Sequence, residues 1–383
     1  MRCCEACFTD DYLKNYIGEH GERGSCEYCG SRNNYVIDAG ELERLFTRFT
    51  ELYAPVEIGI NIPSDAEALD YGQPLADLIQ EQWEIFDERL VEHDRHHDLL
   101  DDIFTANRGN DELVLAPAVR DLWTDHNWLH RSLLDHWHEL VDELKNPEEH
   151  HAIAPDLQPS EEDVATAVDT LQWFEEDIER TIITLPAGSR IFRARLGYRE
   201  RDYRIVPFPP EEMSSPPSQL VDKPGRANPV GVSFFYAAKD ERTAVAEKRP
   251  HTGALVSVAE CVTLRDLRLL DLPKGMRMST PFECSPEYLP SILESCELFN
   301  HLDTEFSKPL RHTDDVRDYL PTQFFVEWTK NHRYDGLLYT SAMSKDGINI
   351  VIFDPTVARV DSVRLVRVDA VEVAYRDYTG DGD

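Results

Sequence analysis

The sequence predicts an α+β protein in three parts: a cysteine-bearing N-terminal segment, an all-α middle domain and a compact α+β C-terminal domain. Three features of the chain lead there. Two C-x-x-C pairs lie within the first 29 residues. From about Ala39 to Ile183, apolar residues recur every three or four positions, the period of helices with one buried face. From Leu185 on, short β-branched and aromatic runs alternate with turns and few long helices. The divisions fall at 1–38, 39–184 and 185–383.

In the first part, Cys4, Cys7, Cys26 and Cys29 form two pairs separated by eighteen residues. Two such knuckles supply four thiolates, the ligand set of a structural tetrahedral zinc ribbon, and Gly30 suits the tight turn after the second pair. Cys3 is a spare thiol or an alternative to Cys4. The 383 residues carry 73 Asp and Glu against 39 Lys and Arg, a formal net charge of -34. So acidic a surface repels nucleic-acid phosphates and argues against general DNA or RNA binding. No run of about eighteen apolar residues occurs, so no transmembrane helix is expected. The N-terminus lacks the apolar core of a signal peptide, so a cytoplasmic location is expected, where disulfides are disfavoured.

In the second part, Leu42, Leu45, Phe46, Phe49 and Leu52 make a helical stripe, and Leu75 to Leu90 continue the pattern. Pro117 opens a helix that runs to Leu144, and Ser160 caps another whose buried face includes Val164, Val168, Leu171, Ile178 and Ile182. Histidines crowd this region. His93 and His97 lie one turn apart beside Asp94 and His96, and an exposed polar helix end explains them as well as a metal site does.

In the third part, Gly225-Arg226-Ala227-Asn228-Pro229 reads as a turn, Val232–Tyr236 as a strand, and Asp240 as the cap of a helix carrying Glu247, with Pro250 beyond. This could bring an Arg, a Tyr and a Glu to one cleft. The Pro- and Ser-rich stretch before Lys223 reads as a long exposed loop, either a lid or a disordered insertion.

From about Arg190 to Pro355 the chain resembles the RES domain family. The resemblance is carried, in order, by RIFRAR, by GRANPVGVSFFYAAKDERTAVAEKRP, by GALVSVAE with LRLLDL, and by YDGLLYTSAMSKDGINIVIFDP. It implies a fold similar to ADP-ribosyltransferase toxins and the toxin half of a bacterial toxin–antitoxin pair, which degrades NAD+ and is blocked by an Xre-like antitoxin. Glu247 matches the family glutamate, Arg226 and Arg193 (or its neighbour Arg195) the basic positions that hold NAD+, Tyr236 the aromatic and Ser341 the serine. Asn228 joins them in the NAD+-binding set through the turn it shares with Arg226. The chemistry is consistent with these residue types. Cleavage between nicotinamide and ribose passes through an oxocarbenium-like state that a carboxylate stabilises. A pyrophosphate suits a planar Arg, and an aromatic ring can stack on nicotinamide. The released ADP-ribose would go to water, to phosphate or to a protein.

The position of the middle domain suggests the HEPN-type helical domain found before some RES domains. The ribonuclease reading of such a domain would use Arg131 and His136. Five residues along a helix place those side chains about 140° apart, so a homodimer would be needed to complete a site.

Overall fold

The computed structural model describes residues 1–55, 72–105, 122–125, 133–145, 178–275, 278, 280–282, 284–309 and 315–372. These form two compact units, Met1–Asp135 with Met278–Glu294, and His136–Arg277 with Ser295–Asp383.

In the first unit, strands Arg2–Cys4, Arg32–Asp38 and Glu22–Ser25 pair antiparallel in that order. Helix Asp11–His20 starts where Asp10 Oδ1 accepts the Leu13 N–H at 2.9 Å, and it buries Leu13 and Ile17. Gly21 ends it, since a Cβ there would meet Ile17 O at 2.6 Å and Val36 O at 2.8 Å. Helices Glu43–Phe46, Phe49–Leu52, Leu75–Trp83, Glu88–Val91 and Arg95–Thr105 follow, and Leu42, Phe46, Phe49 and Leu52 of the predicted stripe are buried. Phe8 packs on Phe46 and Phe86 with ring centroids 6.2 and 6.1 Å apart. The expected division after residue 38 therefore falls inside one continuous core.

The middle segment is not all-α. Tyr53–Pro55, Leu122–Asp125 and Gln73–Pro74 pair in that order as an antiparallel sheet, with Trp123 buried. Strands this short show no period of their own, and pairing between distant segments decides them. Of the helix expected over Pro117–Leu144, the described residues show Leu133–Lys145. The helix expected from Ser160 lies mostly outside the described residues, but Ile182, assigned to its buried face, opens a strand instead.

The second unit is built on an eight-stranded sheet. Its strands in chain order are β1 (Ile182–Leu185), β2 (Arg190–Leu196), β3 (Phe235–Ala238), β4 (Leu255–Thr263), β5 (Leu267–Asp271), β6 (Gly336–Thr340), β7 (Ile348–Ile352) and β8 (Ala358–Arg367). Their spatial order is β8-β4-β2-β3-β7-β6-β5-β1, antiparallel throughout except for β5 and β6. Ile191, Phe235, Ala237, Leu269, Leu338, Ile350 and Ile352 belong to one core cluster, and Ala194, Ala238, Val256 and Val258 to another with Ala244 of helix α1 (Glu241–Ala246). Helix α2 (Leu320–Asn331) buries Phe325, Val326 and Trp328.

Two expectations here need correction. The strand expected over Val232–Tyr236 lies at Phe235–Ala238, because pairing with β7 fixes its extent. The stretch before Lys223 is not one long irregular loop. It holds a hairpin, Arg199–Arg201 with Arg204–Val206, and a helical turn, Pro210–Met213. Burial of Phe208 and Met213 and a hydrogen bond from Phe208 N to Ser257 Oγ (3.0 Å) fasten it to the sheet. Composition showed the Pro and Ser of this stretch but not which two apolar residues anchor it.

Candidate functional site

Helix α1 is short and firmly capped. Asp240 Oδ1 accepts the Thr243 N–H at 2.8 Å, and Asp240 Oδ2 accepts the Thr243 hydroxyl at 2.6 Å. The helix closes at Glu247, whose N–H donates to Thr243 O at 3.0 Å, and Arg249 then turns the chain away with φ of 47°. The Glu247 carboxylate is held at one oxygen. Oε1 accepts the Ser341 hydroxyl at 2.6 Å and the Asn349 side-chain N–H at 2.7 Å. Among the described residues, Oε2 accepts no hydrogen bond. Ser341 follows β6, and its N–H donates to Gly347 O at 2.9 Å. Gly347 must lack a side chain, because a Cβ would fall 2.5 Å from Thr243 Oγ1. Asn349 lies on β7 between Ala238 and Tyr339, and is 4% exposed.

Glu247 opens on a cavity of about 480 Å³. Its other charged lining residues are all cations: Arg193, Lys223, Arg226, Lys248, Arg249 and Lys308. Tyr236, Phe306 and Tyr339 add aromatic faces. Helix α2 places the turn that carries Arg226. Thr322 Oγ1 donates to Arg226 O at 2.6 Å, and Gln323 Nε2 donates to Gly225 O and Asn228 O at 2.9 and 3.1 Å. Arg226 Nε donates to Lys308 O at 2.8 Å, and its guanidinium lies over the Tyr319 ring at 5.4 Å.

The cations are unusual for so acidic a chain. Among the described residues, Arg193, Lys223, Lys248 and Arg249 have no carboxylate in ion-pair contact. Arg193 Nη1 donates to Tyr236 O at 2.8 Å, and burial, with a lesser push from Arg195, lowers the pKa of its guanidinium. Much of Lys248 is exposed along its length, yet crowding around its ammonium, together with the Arg193 charge, lowers its pKa too. Cations held in this way are stabilised by an added anion. The Tyr236 hydroxyl, kept protonated by burial, donates to Asn228 Oδ1 at 2.6 Å.

The family model of the RES domain matches residues 201–375. Over those residues the chain is RES-like. Glu247, Arg226, Tyr236, Ser341 and Asn228 lie within the matched residues, and Arg193 just before them. A chain of the M. tuberculosis MbcT–MbcA toxin–antitoxin complex is similar at 13% identity, with a TM-score of 0.27, over 51% of this chain and 93% of that one. No curated protein sequence matches the chain.

Within the second unit, Arg193, Arg226, Asn228, Tyr236 and Glu247 all line the cavity, and Ser341 reaches it through Glu247. Between the two candidate arginines of β2, Arg193 lines the cavity, while Arg195 pairs with Glu212 at 3.3 Å and lies over Phe208. The Asn228 side chain is occupied inside its own turn, with Nδ2 on Pro229 O and Val232 O at 3.2 and 3.0 Å. Sequence reasoning missed Asn349, Lys248, Lys223 and Tyr339. Asn349 had a legible signal: a lone amide inside the apolar run INIVI must find a partner when buried.

In the first unit, the sulfurs of Cys4, Cys7, Cys26 and Cys29 lie within 4.8 Å of one another. The closest separations are 3.9 Å for Cys4–Cys7, 3.5 Å for Cys4–Cys29 and 3.3 Å for Cys7–Cys26. Sulfurs at about 2.3 Å from a tetrahedral zinc stand about 3.8 Å apart, so the group fits such an ion with small shifts. Cys26 Sγ accepts the N–H groups of Tyr28 and Cys29 at 3.4 Å each, as a thiolate would. Cys3 points instead to Ile37 O at 3.8 Å, leaving Cys4 in the cluster. Arg131 lies outside the described residues, and the expected pairing with His136 therefore does too. Of the histidine cluster, His96 and His97 meet Asp77, and neither His93 nor Asp94 joins them. No helix among the described residues is long and apolar enough to cross a membrane.

Proposed function

We propose that the RES domain degrades NAD+ by breaking the nicotinamide–ribose bond, and that the protein is the toxin of a toxin–antitoxin pair. The observation that carries this reading is one carboxylate, pinned by Ser341 and Asn349, facing a cavity otherwise charged only by cations. Arg193, Arg226 and Lys248 suit a diphosphate. Tyr236 and Tyr339 offer flat faces for a base or nicotinamide. The free Oε2 of Glu247 is suited to the ribose, where it would hold a hydroxyl and stabilise the positive charge that grows as nicotinamide leaves. Nicotinamide departs neutral, so no strong acid is required. Ser341 acts on the carboxylate in this scheme rather than on the substrate, and Asn228 holds the turn.

The acceptor of ADP-ribose is water or phosphate, and an Xre-like protein is the partner that would cover the cavity. Zinc at the four cysteines is structural in this reading, because four thiolates leave no open position. The test is NAD+ consumption by purified protein, wild type against Glu247→Gln, with and without phosphate. Loss of NAD+ with wild type alone is expected, and a requirement for phosphate would name the acceptor. Equal consumption by both proteins would refute the role of Glu247, and no consumption by wild type would refute the reading.

A further inference from the structure

We propose that Asp77, His96 and His97 form a second divalent-metal site, of the nitrogen- and oxygen-ligand class that takes Zn2+, separate from the four cysteines. Asp77 lies on helix Leu75–Trp83, and the two histidines lie in the first turn of helix Arg95–Thr105. Consecutive residues on a helix point about 100° apart, so neighbouring side chains normally diverge. Here both converge. His96 Nε2 lies 3.0 Å and His97 Nε2 lies 3.2 Å from the same Asp77 Oδ1, and the two rings are 4.1 Å apart between centroids. All three ligand atoms lie within 4.8 Å of one another.

Those separations are close to the edges of a coordination polyhedron. Ligands bound at about 2.0–2.2 Å in tetrahedral geometry stand about 3.3–3.6 Å apart, within a few tenths of an ångström of the 3.0 and 3.2 Å between Asp77 and the two histidines. His96 is buried, and its Nδ1 has no hydrogen-bond partner among the described residues, so Nε2 is the atom through which this ring makes polar contact. Asp77 and His97 are 38% and 18% exposed, which gives an ion a path in and room for water as a further ligand. Two imidazoles and one carboxylate are a set of borderline softness, suited to Zn2+ rather than to Ca2+ or Mg2+, which prefer all-oxygen sites.

Co2+ is the probe, added to the metal-free full-length chain, with Zn2+ counted separately by metal analysis. Two equivalents should bind. The cysteine site gives intense thiolate-to-cobalt absorption, and the second ion adds only weak visible bands. Asp77→Asn and His97→Gln should each weaken the second equivalent at least about tenfold while the thiolate absorption, which reports that this unit is folded, stays unchanged. In the wild type, Zn2+ beyond the first equivalent should shift the His97 ring resonances. A single thiolate-bound equivalent, unshifted His97 resonances, or a second equivalent retained by both variants would overturn the site.

Discussion

Removing Asn349 tests how the carboxylate works. In Asn349→Ala, Glu247 Oε1 loses the donor at 2.7 Å and keeps the Ser341 hydroxyl at 2.6 Å. A hydrogen bond to a charged group is worth about 1.5–3 kcal/mol. If that bond serves to aim Oε2 at the ribose, kcat for NAD+ consumption should fall about ten- to a hundredfold. KM should move little, because Arg193, Arg226 and Lys248, which would hold the diphosphate, are untouched. Ser341→Ala should fall by a similar factor. As both donors share one oxygen, the double variant should deviate from additivity by at least about 0.5 kcal/mol. The assay is steady-state NAD+ consumption for the four proteins, with melting temperatures as a fold control. Rates within about twofold of wild type for both single variants, with unchanged melting, would refute the pinned-carboxylate argument.

Three further outcomes are expected. The Lys248 ammonium has a lowered pKa, through crowding and Arg193, and so loses its proton below the usual lysine range. KM for NAD+ should therefore rise on the alkaline side at lower pH in wild type than in Lys248→Arg, read from pH profiles of both. A Cβ at Gly225 would fall 2.7 Å from Asn228 Oδ1 and 3.1 Å from the Tyr236 hydroxyl, so Gly225→Ala should cost about 1–3 kcal/mol and displace the turn that carries Arg226, seen as a lower melting temperature and a raised KM. Chelation, or Cys26→Ser, should loosen the packing of Phe8 on Phe46 and Phe86, measured by hydrogen exchange in strands Arg2–Cys4 and Arg32–Asp38.

The sequence by itself determined part of the local structure and the residue types of the candidate site. Spacing alone named the four cysteines, Asp240 was legible as a cap, and the motif order placed Glu247, Arg226 and Ser341 in one domain. Tertiary structure decided what these groups touch. It made Ser341 a partner of Glu247 and tied Asn228 into its turn. It chose Arg193 over Arg195 and Cys4 over Cys3, and brought Lys248 and Asn349 to the cavity. It also replaced part of the expected all-α middle by a sheet of very short strands. The physical reason is the same throughout. Periodicity and capping act within a few residues, whereas hydrogen-bond partners, burial and strand pairing join positions about a hundred apart in the chain, such as Glu247 with Asn349 (102) and Arg226 with Thr322 (96).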